Sequence, residues 1–172
     1  MFQIGDILIY GTQGICKVGS IGPLPMPGVD PTRQYYTLHP YYQQELVIYA
    51  PVDNQSVVMR PPLTRPEAEG LIAEIPTLEA IWVPNEKERE NQYRAALNTC
   101  DCRELVKIIK TLHHRRSDRM QHGKKGTAID EKYFHLAEEQ LYGELAYVLG
   151  RTKEEMPDYI ASCIEHEAEN PV

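Results

Sequence analysis

The sequence predicts an α+β chain in two modules: a small antiparallel β-barrel or curled sheet over residues 1–60, then an all-helical module of about five helices over residues 61–172. Three observations predict it. The first sixty residues break into short β-branched or aromatic runs bounded by Gly, Pro, Asn and Asp. Pro61-Pro62 interrupts the chain. After it the apolar spacing becomes helical, and residues suited to helix caps recur.

The β runs are 4–10 (IGDILIY), 15–21 (ICKVGSI), 34–38 (QYYTL), 46–50 (LVIYA) and 57–60 (VVMR). Gly11-Thr12-Gln13-Gly14 is short enough to be a tight connection between the first two. Pro23-Leu24-Pro25-Met26-Pro27-Gly28 reads as a stiff loop, because each proline fixes its φ and lacks a donor.

In the second module Thr64-Arg65-Pro66-Glu67 has capping-box spacing, with proline in the first turn. Asn85 is placed to cap a helix to about Leu97, and Asp101 a long one to about Gln121. Thr127 opens a fourth helix, which Gly150 ends as a C′ glycine. Thr152-Lys153-Glu154-Glu155 is a further capping box, and the helix it starts is expected to fray after Glu167. On the fourth helix Phe134, Ala137, Leu141, Leu145 and Val148 make a core stripe.

Length, composition and charge limit what such a chain can do. With 172 residues, 42% apolar and 25% charged, it is globular and large enough for one domain or two small ones. No uncharged apolar run approaches the ~18 residues of a membrane span. The start, Met-Phe-Gln-Ile-Gly-Asp, lacks the basic and apolar regions of a signal peptide, so a soluble cytoplasmic protein is expected. Cys16, Cys100, Cys102 and Cys163 are too few and too irregular for a disulfide framework, and thiols are expected. Cys100-Asp101-Cys102 invites a metal reading, but zinc needs two further ligands. His113 and His114 are adjacent on a helix and point ~100° apart. No metal and no cofactor are expected.

The net charge of −7 hides an asymmetry. Residues 103–125 hold Arg103, Lys107, Lys110, Arg115, Arg116, Arg119, Lys124 and Lys125 against Glu104 and Asp118, so that stretch carries +6 and the rest of the chain −13. Arg103, Lys107, Lys110 and His114 share one helix face. Leu105, Ile108, Ile109 and Leu112 lie roughly opposite. Arg116 and Arg119 fall near the apolar side, as if the helix outruns its core. Such a stripe is either a solvated face or a row of phosphate contacts, which position a protein on nucleic acid without reading sequence. Trp82, the single tryptophan, is either an anchor for the connection before the Asn85 cap or an apolar wedge for a DNA base step.

Catalytic motifs are missing: there is no G-x-S-x-G, H-E-x-x-H, Walker loop or G-x-G-x-x-G. Gly123-Lys124-Lys125-Gly126-Thr127 resembles a phosphate loop only in composition, since it follows a helix and lacks the spacing. The carboxylates fall mostly on helix surfaces. No enzyme and no small-molecule substrate are expected.

Ile4-Gly5-Asp6-Ile7-Leu8-Ile9-Tyr10 followed by Gly14-Ile15-Cys16-Lys17-Val18 resembles the opening of the CarD/CdnL family of bacterial transcription regulators. Tyr35-Tyr36-Thr37-Leu38 and Val47-Ile48-Tyr49-Ala50-Pro51 fit its later strands. Tyr93-Arg94-x-x-Leu97, Ile108-Ile109-Lys110-x-Leu112, Asp130-Glu131-Lys132 and Leu141-x-Gly143-Glu144-Leu145-Ala146 fit its helical domain.

The resemblance implies a Tudor-like, SH3-like N-terminal domain, shared with the transcription-repair coupling factor, that docks on the β subunit of RNA polymerase. The helical domain would meet promoter DNA at the upstream edge of the transcription bubble, by backbone and minor groove, and stabilise the open complex. Melting is close to balanced, so a few kcal/mol of differential contact would shift it. Carried over residue by residue, the DNA-facing lysine position is Arg94, and basic positions on later helices match Arg115 and Lys132. The basic helix adds Lys107, Lys110, Arg116 and Arg119. The wedge position falls on Arg89, seven residues after Trp82. Polymerase-side arginines of some members match Leu24 and Tyr49, so with Pro51 that dock would be more apolar. The family pattern implies a monomer. The other reading is a protein-interaction adaptor whose β module binds a partner without functional DNA contact.

Overall fold

The computed structural model describes residues 1–81 and 83–169. The chain falls into two compact units, Met1–Pro62 and Leu63–Val172.

The first unit is a five-stranded antiparallel sheet of β1 (Ile7–Tyr10), β2 (Ile15–Gly22), β3 (Tyr35–Pro40), β4 (Ile48–Pro51) and β5 (Met59–Arg60), in the order β4-β3-β2-β1-β5. A 3-10 turn, Gly11–Gln13, makes the expected tight connection from β1 to β2. Period-2 alternation sends Tyr36, Leu38 and Pro40 of β3 inward and leaves His39 outside. Leu8, Cys16, Val18, Tyr36, Leu38 and Ala50 form the core, with Phe2, Tyr10, Ile21 and Ile48 packed against it. The β2–β3 register slips between Val18 and Ser20. Gly19 occupies the slip, and a Cβ there would lie 2.5 Å from Nε2 of the exposed His39, so any other residue would push that imidazole aside.

The second unit has five helices: α1 (Arg65–Glu74), α2 (Glu86–Asn98), α3 (Cys102–Gln121), α4 (Ala128–Leu149) and α5 (Met156–Glu169). Local chemistry sets their ends. The Thr64–Glu67 capping box closes in both directions, and Asn85, Asp101 and Thr127 accept from backbone N–H groups at the starts of α2, α3 and α4. Gly150 ends α4 in the left-handed region. The Thr152–Glu155 box also closes, but residues 153–155 form a turn and the helix itself begins at Met156.

Contacts at both ends make α3 and α4 antiparallel. Cys102 at the start of α3 meets Glu144 late in α4, and Arg115 late in α3 meets Asp130 early in α4. Between them lies one core of Leu105, Ile108 and Leu112 from α3 with Tyr133, Ala137, Leu141 and Leu145 from α4, joined by Leu71, Tyr93 and Leu97. Phe134 and Val148, expected inside, are half-buried at its margin. No helix among the described residues is long and apolar enough to cross a membrane.

Candidate nucleic-acid interface and free sheet edge

Cations from two helices converge where α2 passes the start of α4. Glu90 is their common partner: it accepts from Tyr133 Oη at 3.1 Å and lies 3.4 Å from Arg94 and 3.9 Å from Lys132. Lys132 Nζ also sits 5.2 Å from the centre of the Tyr133 ring. The Arg94 and Lys132 side chains are 56% and 60% exposed. Two exposed cations share one carboxylate, which leaves a net positive spot open to solvent.

Arg89 and Arg115 have a different situation. The Asp130 carboxylate, 8% exposed, accepts from Arg115 Nε at 3.0 Å and has Arg89 Nη1 at 4.0 Å. Arg89 is itself only 12% exposed and pairs with Glu86 at 2.8 Å. Asp130 therefore gathers α2 and α3 onto the first turn of α4. Its Oδ1 and the Tyr93 hydroxyl are both buried without a hydrogen-bond partner. Burial pushes the Tyr93 hydroxyl up to about 12, and the Asp130 charge adds to the shift.

The other predicted cations are also engaged within the unit. Arg116 forms a two-pronged pair with Glu131, at 3.1 and 2.7 Å, and stacks 4.4 Å over Phe134. Arg119 Nε donates to Lys125 O at 2.8 Å. Both arginines lie beyond Leu112, the last buried residue of α3, so the helix does run past its core, and there Arg116 covers the Phe134 ring. Lys107 pairs with Glu104 at 2.9 Å, and Arg103 takes both oxygens of Glu74. Lys110 Nζ donates to Leu78 O, and Thr111 Oγ1 accepts from Ile81 N, both at 2.7 Å, which ties the α1–α2 connection to α3. Trp82, the next residue and the expected wedge, lies outside the described residues.

The β unit presents an outer strand, β4, with β3 on one side and, among the described residues, no strand on the other. Tyr49 and Pro51 are two residues apart and so share a face of β4. Tyr49 is 47% exposed, and Pro51 is half-buried. The register runs Gly22–Tyr35–Pro51 across the sheet, so half-buried Leu24, two residues beyond Gly22, lies at the Pro51 end. Tyr41, Tyr42, Leu46 and Val47, which lead into β4, are exposed as well. Tyr41 and Tyr42 pack edge to face, 5.0 Å between ring centres.

Sequence reasoning did not single out this apolar run, although two adjacent tyrosines just before a strand are a signal for it. It also missed Glu90 and Asp130, the acids that organise the cations. Only the i,i+4 spacing of Glu90 and Arg94 hinted at them.

Among the described residues no three or more His, Cys, Asp or Glu side chains group to hold a metal ion. None of the four cysteines is in a disulfide. Cys102 Sγ lies 3.2 Å from Glu144 Oε2, and Cys100 Sγ lies 3.7 Å from Asn98 O.

A comparison with curated proteins finds no match. A comparison with family models finds the CarD-like/TRCF RID domain at residues 2–63, which takes in all five strands and ends one residue past the first compact unit. Residues 2–63 are thus a CarD-like/TRCF RID domain, an RNA polymerase-interacting module that supports a transcription-related protein.

Proposed function

We propose that this protein is a non-catalytic, cytoplasmic transcription regulator, acting as a monomer without a cofactor. Its β unit docks on the polymerase β subunit, and its helical unit touches promoter DNA at the upstream bubble edge and stabilises the open complex. The observation that carries the DNA half is the pair Arg94 and Lys132, exposed together on two helices with one carboxylate between them. Phosphates would replace Glu90 as their partners. Lys107, Lys110, Arg116 and Arg119 are proposed as further phosphate contacts on α3, while Arg89 and Arg115 hold the helices in place through Asp130. Trp82 is proposed as the wedge from its sequence position alone.

The dock is proposed at the β4 edge, with Leu24, Tyr49 and Pro51 and the apolar run before it. An outer strand with exposed backbone groups and aromatic neighbours suits pairing with a partner strand.

The adaptor reading has one observation in its favour: Arg103, Lys107, Arg115 and Arg116 already have acidic partners inside the unit. Open-complex lifetime on a weak promoter, with cognate polymerase, separates the two. The regulator lengthens the lifetime. Arg94→Glu with Lys132→Glu abolishes that effect and keeps polymerase pull-down, whereas Tyr49→Glu weakens pull-down. Trp82→Ala shortens the lifetime only if the tryptophan wedges the groove. Pull-down with no change of lifetime leaves the adaptor. Loss of both sinks the polymerase docking.

A further inference from the structure

The cations of α2, α3 and the first turns of α4 nearly all have polar partners inside the unit. In the α3–α4 loop, 122–127, Lys124 and Lys125 are exposed, and neither side chain has a hydrogen-bond or ion-pair partner among the described residues. Among the described cations of α2, α3 and the first turns of α4, the one comparable side chain is Lys87, which stands between Glu86 and Glu88.

The loop that carries these two charges is held from several sides. Lys124 N donates to Arg119 O at 2.8 Å, and Gly123 N to Met120 O at 3.0 Å, closing the end of α3 over a left-handed Gly123. Arg119 Nε then reaches forward to Lys125 O at 2.8 Å. Beneath Gly126, a Cβ would lie 2.8 Å from Glu131 Oε1, an oxygen that the Arg116 guanidinium fixes. The backbone is braced by Arg119 while the two lysines are left to solvent.

We propose that this loop is a second contact to duplex phosphates, with Lys124 and Lys125 as its charges. The proposal rests on the reading above that the helical unit faces DNA. The loop contains His122, Gly123, Lys124, Lys125, Gly126 and Thr127, with no apolar anchor of the kind a protein interface buries at its centre. Phosphate requires only charge and reach, and an ammonium on a flexible stem meets it as a point charge. Glycine on either side of the lysines keeps bulk away from an approaching backbone. Glu131 and Asp130, the nearest acids on α4, are already neutralised by Arg116 and Arg115. Asp118, exposed on α3, is the remaining opposing charge.

The test uses the full chain with cognate polymerase on promoter DNA. The protein concentration for half-maximal extension of open-complex lifetime is measured against KCl concentration. Each phosphate contact contributes about 0.9 to the log–log salt slope, so Lys124→Gln with Lys125→Gln should lower its magnitude by about 1.8. Unchanged melting temperature and polymerase pull-down show that the variant is folded and docked. In parallel, Lys124 is replaced by benzoylphenylalanine, which on irradiation should crosslink to labelled promoter DNA. An unchanged slope, no DNA adduct, or an adduct to a polymerase subunit overturns the loop contact. If the wild type extends no lifetime, the open-complex reading falls alone, and an adduct to DNA at position 124 still supports the loop.

Discussion

Arg115 Nε donates to Asp130 Oδ2 at 3.0 Å, across fifteen residues of sequence, and Arg89 approaches the other oxygen of the same carboxylate. One aspartate in the first turn of α4 thus fixes the helices that display Arg94 and Lys132.

Asp130→Ala should destabilise the helical unit by about 2 kcal/mol, because it strands the mostly buried Arg115 guanidinium and leaves Arg89 with Glu86 alone. The cost lies below that of a fully buried pair, since Arg115 can turn to solvent: its side chain is 26% exposed. Urea unfolding of the full chain measures it. A change under 0.5 kcal/mol would mean that Arg115 finds another partner.

Helix starts and stops were legible because each depends on a few neighbouring residues: Thr64 with Glu67, Asn85, Asp101, Thr127 and Gly150 all sit where the sequence puts them. The five strands were legible as short β-branched or aromatic runs between turn residues. What was not legible involves residues far apart in sequence. A helical wheel shows that Arg116 lies toward the apolar side, but not that Glu131 and Phe134 of α4 stand there to receive it. The run 46–50 reads as one strand, yet Leu46 N bonds back to Gln43 O, and the strand begins at Ile48. That turn is what exposes Leu46 and Val47.

Glu144, buried in α4, accepts from Leu63 N at 2.9 Å and lies 3.2 Å from the Cys102 thiol. It fastens the start of the helical unit to α4 and α3. Glu144→Ala leaves a backbone donor and a thiol facing a void and should cost about 3 kcal/mol. Glu144→Gln keeps an acceptor for Leu63 and should cost about 1 kcal/mol. Equal losses in the two variants, by chemical denaturation, would refute the role of the Leu63 bond.

Cys16 is fully buried in the sheet core, and desolvation pushes its thiol up to about 11. Alkylation requires thiolate, so at pH 8 Cys16 should resist iodoacetamide. Cys100 and Cys102 are buried too, whereas Cys163 is half-buried on α5. Mass spectrometry after brief labelling should find one modified thiol, Cys163, and four after unfolding in urea. Early modification of Cys16 would show that the β unit opens readily.

Alkali should unfold the helical unit through two tyrosines. Burial pushes the hydroxyls of Tyr93 and Tyr142 up to about 12, with Asp130 adding to the first shift and Glu138 to the second. In the unfolded chain each titrates near 10. Above pH 10 the unfolded state releases these protons first, so it binds fewer protons than the folded state, and stability must fall as pH rises. The contribution is intact below pH 10 and is lost between pH 10 and 12. Tyr142→Phe removes one of the two groups, and stability measured from pH 9 to 11.5 should then fall less steeply than in the wild type. An identical slope would mean that Tyr142 ionises in the folded protein as easily as in the unfolded one.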